Sequence, residues 1–219
     1  MTTQLSEPAT RTWQSDPYTD ALRTGKGPLY LRRRDGWLLP LEIERWCAEP
    51  DAADETVLSR CTGPVLDIGC GPGRLVATLA RRGHTALGVD VTPEAVARTL
   101  RAGGKAVCQS VFDPLPREGR WGTVLLIDGN IGIGGRPAAL LHRAAQLTAS
   151  GGSLLVEVAT AQVDERVEVH VEDGNGERGA SFLWARLGTR ALITQAGDAG
   201  WAPYGTWHEA GRHFVHLAR

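Results

Sequence analysis

The sequence lacks the features that would assign it to several large classes of protein. Its 24 lysine and arginine residues are balanced by 25 acidic residues, so the basic excess typical of a domain bound to duplex nucleic acid is missing. None of the four cysteines forms a CxxC pair or has a zinc-type spacing. No apolar run approaches the ~20 residues that span a bilayer, and the first residues show no secretory leader. We therefore expect a cytoplasmic protein with reduced thiols that binds neither nucleic acid nor membrane.

The length and the internal pattern predict a single domain made of an N-terminal segment and an α/β core. The chain has 219 residues, of which 42% are hydrophobic and 22% charged, as is usual for a globular protein. Residues 1–60 are rich in aromatic side chains and include a helical stretch at 41–47, so we predict a helical arm or lid there. Residues 61–219 alternate short apolar runs with helical periods, which predicts a parallel sheet with helices on both faces.

The apolar runs predict the strands of this core. Five of them are expected at 64–68, 85–89, 106–109, 121–127 and 154–158. A β-hairpin is predicted at about 166–187, because valines alternate before a turn at 173–176. The segments 206–208 and 212–217 are expected to form a last antiparallel pair.

The most informative motif is a glycine-rich turn after the first of these strands. Asp67-Ile68-Gly69-Cys70-Gly71-Pro72-Gly73 places glycines where the backbone can adopt positive φ and approach a ligand closely. Asp90 ends the next strand, where a carboxylate can bind both hydroxyls of a ribose. The dinucleotide fingerprint Gly-x-Gly-x-x-Gly is not met, because Arg74 occupies its last position. The acid that opens the turn would repel a pyrophosphate and suits a ligand with a cationic end.

This pattern resembles that of the class I S-adenosylmethionine-dependent methyltransferases. The resemblance rests on residues 65–73, on Asp90 and on the order of elements from about residue 60 onward. It implies a Rossmann-like, seven-stranded, mostly parallel sheet with an antiparallel last strand, here with an N-terminal helical arm and a small β-hairpin insert. It also implies S-adenosylmethionine as the cofactor. The residues implied to bind it are Asp67, Gly69, Cys70, Gly71, Gly73, Asp90, Val91, Ser110, Val111, Phe112 and Asp128, with Asp113 as an alternative contact for the adenine.

Candidates for catalysis come from the fourth strand of the core and from the histidines. Asp128 and Asn130 stand where that strand meets the methyl donor in the family. The Asn/Asp-Pro-Pro-aromatic motif of nucleic-acid and glutamine N-methyltransferases is replaced here by a glycine-rich stretch. A base is needed only if the nucleophile must lose a proton, and the candidates are His142, His170 and His208. The fifth strand is not followed by the Asp-Asn pair of magnesium-dependent catechol-type enzymes, so we predict no metal.

Aromatic side chains outside the core are candidates for the substrate pocket. The segment before the first strand commonly folds over the cofactor in this family, which makes Tyr18, Tyr30 and Trp37 candidates, and Trp184 on the predicted hairpin is a fourth. The alternative is that the aromatics of the arm only pack it against the core. The run of three arginines at 32–34 is either a solvated face or a site for a carboxylate or phosphate of the substrate.

The expected function is methyl transfer from S-adenosylmethionine to oxygen, nitrogen or carbon of a small molecule, such as a secondary metabolite, by metal-independent in-line displacement. An NAD(P)-dependent oxidoreductase and a non-catalytic methyltransferase-like binding protein stay open as alternatives. Methylation of tRNA or protein is a further one. We expect a monomer or a homodimer; the acceptor cannot be named from the sequence.

Overall fold

The computed structural model describes residues 16–219, so residues 1–15 of the predicted arm lie outside the described part. Before the core, the chain forms three helices and two strands. They are α1 (Asp16–Thr24), β1 (Leu29–Arg32), β2 (Leu38–Pro40), α2 (Ile43–Cys47) and α3 (Ala52–Leu58). The N-terminal segment is therefore helical only in part, and α2 is the helix predicted at 41–47.

The core alternates strands and helices along the chain, as its apolar pattern predicts. Its first half contains β3 (Val65–Ile68), α4 (Arg74–Arg81), β4 (Ala86–Asp90), α5 (Pro93–Arg101), β5 (Ala106–Cys108) and β6 (Trp121–Leu126). A 3-10 segment (Asn130–Gly135) then leads into α6 (Pro137–Leu147) and β7 (Thr148–Val158). The remaining elements are β8 (Asp164–Asp173), β9 (Phe182–Leu187), α7 (Thr189–Asp198), β10 (Ala202–Glu209) and β11 (Arg212–Ala218).

Seven strands form the main sheet in the order β10-β11-β7-β6-β3-β4-β5. The pairs from β5 across to β7 are all parallel. The last strand, β11, lies between β7 and β10 and pairs antiparallel with both. This topology confirms the predicted fold class, a Rossmann-like and mostly parallel sheet.

A second sheet of four strands has the order β2-β1-β8-β9. The strands β8 and β9 are the predicted hairpin, in which Val167 lies opposite Trp184. The strand β1 pairs antiparallel with β8, so that Leu31 lies opposite Val171. Neither β1 nor β2 was expected from the sequence. The four-residue β1 is too short to carry a clear period, and its buried leucines find their apolar neighbours only when the distant β8 is present.

The core of the protein lies on both faces of the main sheet. The strand β3 is buried along its whole length, as expected for a central parallel strand covered by helices on both sides. A further apolar cluster holds α1 and the second sheet against α5, and includes Tyr18, Leu22, Leu29, Ala95 and Val171. No helix within residues 16–219 is both long enough and apolar enough to cross a membrane.

Candidate active site

A cavity of about 790 Å³ opens at the carboxyl ends of β3, β4, β6 and β7. Its floor is formed by the turns that follow these strands, and its opposite wall by Tyr18 of α1, Leu31 of β1 and Trp184 of β9. In open parallel sheets the ligand site lies at this edge, because the loops that follow the strands converge there. The volume is that of a site for a cofactor and a small molecule.

The glycine-rich turn needs its glycines for packing as well as for conformation. Gly69, Gly71 and Gly73 all have positive φ, of 72°, 54° and 87°. A Cβ on Gly69 would lie 2.6 Å from the amide nitrogen of Asn130, and one on Gly73 would overlap Thr99 of α5. Gly69 and Gly71 line the cavity, whereas Gly73 lies beneath the turn and allows α4 and α5 to approach. The structure therefore gives Gly73 a packing role and does not place it in the wall.

Asp90 lies where the ribose-binding acid of the family is expected. Its two carboxylate oxygens accept hydrogen bonds from the backbone N–H groups of Gly71 (2.9 Å) and Thr92 (2.8 Å). Burial raises the pKa of Asp90 although these N–H groups oppose the shift. The carboxylate thus fixes the glycine turn and also forms part of the cavity wall.

The next part of the wall is formed by the residue that follows Asp90 at the end of β4 and by the segment that follows β5. Val91 lines the cavity after β4, and Ser110, Val111 and Phe112 line it after β5. The alternative contact, Asp113, does not line it, because its carboxylate turns back to accept the N–H of Ser110 at 3.2 Å. The geometry therefore favours Ser110 and Val111 over Asp113.

Asp67 and Cys70 lie on or beneath the turn. Asp67 is 3% exposed and is absent from the cavity wall. Burial raises its pKa to about 7, although Arg74 opposes the shift. Cys70 reaches the wall, but its thiol packs 3.8 Å from the hydroxyl of Thr99, and burial raises its pKa.

Asp128 follows β6 and has a left-handed conformation, with φ of 58°. Its carboxylate receives hydrogen bonds from Arg74 at 2.7 and 3.2 Å and from Arg212 at 3.3 Å. A nitrogen of Arg45 lies 2.9 Å from one of its oxygens. Burial alone would raise the pKa of Asp128, but the guanidinium groups of Arg74 and Arg45 hold it below its ordinary value. Asp128 is therefore an ionised anchor for arginines and a poor proton acceptor.

The arginines around Asp128 belong to a larger buried network that the sequence did not predict. Arg74 also makes a two-pronged pair with Asp54 of α3, at 2.7 and 2.8 Å. Arg212 pairs with Glu157 at 2.9 and 2.7 Å and reaches Asp54 at 2.9 Å. These pairs tie α3, α4, β7 and β11 together beneath the cavity. In the sequence, the only sign of this network is that Arg74 stands where the dinucleotide fingerprint has a glycine. No local pattern around Arg212 predicts its role.

Asn130 lines the cavity and supports the glycine turn. Its amide nitrogen donates to the carbonyl oxygens of Ile68 (2.9 Å) and Gly69 (2.8 Å). The 3-10 segment that it begins packs tightly on β9, since a Cβ on Gly132 would overlap the Trp184 ring and one on Gly135 would lie 2.6 Å from Leu183. The geometry therefore gives the amide nitrogen of Asn130 a supporting role in the turn.

Two of the four predicted pocket aromatics line the cavity. Tyr18 and Trp184 do so, and both are buried. Tyr30 does not, because side chains alternate along β1 and the leucines on either side of it take the inner face. Trp37 follows β1 in a turn outside the cavity, where it lies 4.9 Å from the guanidinium of Arg186.

The structure places the histidines away from the cavity wall, and for the arginine run at 32–34 it favours the solvated face over the anion site. None of the six histidines, all within residues 16–219, lines the cavity. His170 lies on β8 beside Glu172 at 3.4 Å, and His208 is exposed on the edge strand β10. The three arginines at 32–34 each lie near an acid, respectively Glu172, Asp35 and Glu168. They form a paired surface outside the cavity wall.

The open sheet, the glycine turn and Asp90 together define an α/β protein with a site for a nucleoside-containing ligand. A family model described as a methyltransferase domain matches residues 42–213, and the chain belongs to this family. Membership does not favour the two alternatives that the sequence left open, a nicotinamide-dependent oxidoreductase and a non-catalytic binding protein.

Solved methyltransferase structures share the fold. One is an S-adenosylmethionine-dependent methyltransferase from Bacteroides fragilis in complex with S-adenosyl-L-homocysteine, with a TM-score of 0.77 and 18% identity over 96% of each chain. Magnesium protoporphyrin IX methyltransferase from Synechocystis PCC 6803 with bound S-adenosylmethionine has a TM-score of 0.64 and 15% identity, over 99% of this chain and 100% of that one. The 1,6-didemethyltoxoflavin-N1-methyltransferase of Burkholderia thailandensis has a TM-score of 0.58 and 18% identity, over 77% and 78%. At these identities the likeness shows the fold alone.

Proposed function

We propose that this protein transfers the methyl group of S-adenosylmethionine to a small-molecule acceptor bound in the cavity. The observation that carries the proposal is the position of Asp90, which holds the glycine turn and lines the cavity in a member of the methyltransferase domain family. The structural neighbours from Bacteroides fragilis and Burkholderia thailandensis, which carry S-adenosylhomocysteine, support the choice of cofactor.

The residues of the cavity fit the parts of this cofactor. The carboxylate of Asp90 accepts the backbone N–H groups of Gly71 and Thr92 and lines the cavity at the end of β4. We propose that it also accepts the two ribose hydroxyls there. Val91, Ser110, Val111 and Phe112 provide the adenine wall, and the backbone of Gly69 and Gly71 would underlie the methionine part.

The cavity wall carries charges of both signs. Asp90 lines the cavity and suits a ligand with a sulfonium and an ammonium group. Asp128 also lines it, but its charge is balanced by Arg74 and Arg45 of the same wall. Tyr18 and Trp184 add aromatic faces, which stabilise a nearby cation. Because Tyr18 belongs to α1, we also propose that the N-terminal segment covers the cofactor.

The chain contributes mainly alignment to the reaction. S-adenosylmethionine, when bound, supplies a methyl group on a sulfonium that a nucleophile takes by in-line displacement. Holding the two reactants in line is worth on the order of 7–11 kcal/mol at best. We propose that no metal takes part in the reaction. The magnesium-dependent catechol-type relatives bind the metal through an acid at the position of Asp128, and here the carboxylate of Asp128 is bound by the guanidinium groups of Arg74 and Arg45. We also propose that the acceptor is a secondary metabolite and that the protein is cytoplasmic. We further propose that it has no nucleic-acid partner and is a monomer or a homodimer.

Calorimetry of the purified protein tests the cofactor assignment. S-adenosylhomocysteine is expected to bind, and NADH is expected not to bind at the same concentrations. Binding of NADH in its place would contradict the proposal. A second assay distinguishes an enzyme from a binding protein. The protein is incubated with methyl-labelled S-adenosylmethionine and a deproteinised extract of the source cells, and labelled product is expected from an enzyme only.

A further inference from the structure

Few side chains of the cavity wall within residues 16–219 are suited to act as a general base. None of the histidines lines the cavity. The oxygens of Asp90 accept backbone N–H groups, and Asp128 and Glu157 are paired with arginines. Tyr18 is buried, and burial raises the pKa of its hydroxyl well above the ordinary value. The two other described acids of the wall, Glu42 and Glu168, are exposed to solvent. An acceptor that reacts without losing a proton fits this wall better than one that needs a buried base.

Arg45 is a cation of the wall that is ion-paired with Asp128. Its side chain is 24% exposed and lines the cavity. One nitrogen lies 2.9 Å from an oxygen of Asp128, but within residues 16–219 it has no hydrogen-bond partner. Arg74 and Arg212, by contrast, make several hydrogen bonds each. A guanidinium with free N–H donors is suited to binding a carboxylate.

The apolar part of the wall favours an anionic nucleophile over a neutral one. Leu31, Leu39, Phe182 and Trp184 surround the half of the cavity nearest the second sheet. When an anion attacks a sulfonium, two opposite charges disappear. A medium of low dielectric constant favours such a reaction, because it stabilises separated charges less well than water does.

We propose that the acceptor is a carboxylic acid, that Arg45 binds its carboxylate, and that the product is a methyl ester. This inference rests on the proposed function and names its substrate class. A carboxylate oxygen forms the new bond to the methyl carbon, the carbon–sulfur bond breaks, and its electron pair stays on sulfur. The products are a neutral ester and S-adenosylhomocysteine. No proton moves, so the reaction needs no general base.

A second carboxylate could reach Arg45, namely that of the methionine part of the cofactor. The two sources share one chemistry and differ in what the loss of Arg45 would weaken. If the acceptor is the partner, the variant loses affinity for the acceptor and keeps its affinity for S-adenosylhomocysteine. If the cofactor is the partner, the reverse holds.

The first experiment identifies the bond formed. The protein is incubated with methyl-labelled S-adenosylmethionine and a deproteinised small-molecule extract of the source cells, and the products are treated with alkali. A methyl ester releases its label as methanol, and this is the expected result. Labelled product that resists alkali would overturn the inference and leave the proposed function intact. No labelled product at all would contradict the proposed function itself.

The second experiment tests Arg45 with the variant Arg45→Met, and uses Arg81→Met on the exposed surface of α4 as the control for charge. We expect the apparent KM for the extracted acceptor to rise about tenfold or more, with the Kd of S-adenosylhomocysteine changed less than about threefold. Arg45→Lys, which keeps the cation, is expected to retain more transfer and serves if the methionine variant does not fold. Weaker cofactor binding with an unchanged KM, or no change in either constant, would overturn the assignment.

Discussion

Asp67 offers a quantitative test of the electrostatics beneath the site. Burial raises the pKa of its carboxyl from the ordinary value of 3.8 to about 7. The unfolded chain therefore releases this proton at lower pH than the folded protein does. The stabilising contribution of the protonated group is complete below the unfolded pKa, and it is lost as the pH rises through the folded pKa. Over the full interval the loss is about 4 kcal/mol.

The substitution Asp67→Asn removes this titration and nearly preserves the shape of the side chain. Urea unfolding of both proteins at about pH 5 and about pH 8 is expected to show that the wild type loses about 3 kcal/mol of unfolding free energy relative to the variant. Asp198→Asn, at an exposed position on α7, is the control and is expected to give a constant difference. A difference between wild type and Asp67→Asn that does not change with pH would refute the reasoning.

Three further predictions follow from the packing and the pairs. Gly69→Ala is expected to cost roughly 1–3 kcal/mol of unfolding free energy, because the added Cβ would lie too close to Asn130. Gly83→Ala is the control and is expected to cost less, since its φ is also positive but no atom lies within 4 Å of the added Cβ. Urea unfolding measures both costs. Arg212→Met is expected to cost about 3–5 kcal/mol, since it removes the arginine partner of the largely buried Glu157 and one of the two arginines bound to Asp54. Loss of the exposed pair in Arg82→Met is expected to cost less than about 1 kcal/mol, and equal costs would contradict the network. His208→Ala is expected to leave methyl transfer to the extract unchanged, and a large loss would restore a catalytic role for this exposed residue.

Local sequence patterns were sufficient for the main sheet and for the glycine-rich turn. The apolar runs predicted the parallel strands, and the glycines with Asp90 indicated the turn that lines the cavity, because these features depend on neighbours in the chain. The hairpin at 166–187 was also visible, since its valines alternate up to a glycine-rich turn.

The residues whose roles the sequence did not predict make contacts between segments that are distant in the chain. Arg212 and Asp54 are 158 positions apart, and their pairing follows from the topology alone. Tyr30 was a pocket candidate, but β1 pairs with β8 in a register that directs its leucines inward. Asn130 was judged from its place after the fourth strand of the core, where the structure shows an amide bound to two backbone carbonyls.

The central claim is that the cavity binds S-adenosylmethionine through Asp90, and calorimetry with S-adenosylhomocysteine tests it most directly. Asp90→Ala removes the acceptor for the ribose hydroxyls and for the N–H of Gly71. Since a hydrogen bond to a charged group is worth about 1.5–3 kcal/mol, the Kd is expected to rise at least about tenfold. Circular dichroism is used to establish that the variant is folded. A folded Asp90→Ala protein that binds S-adenosylhomocysteine within about twofold of the wild-type affinity would contradict the account.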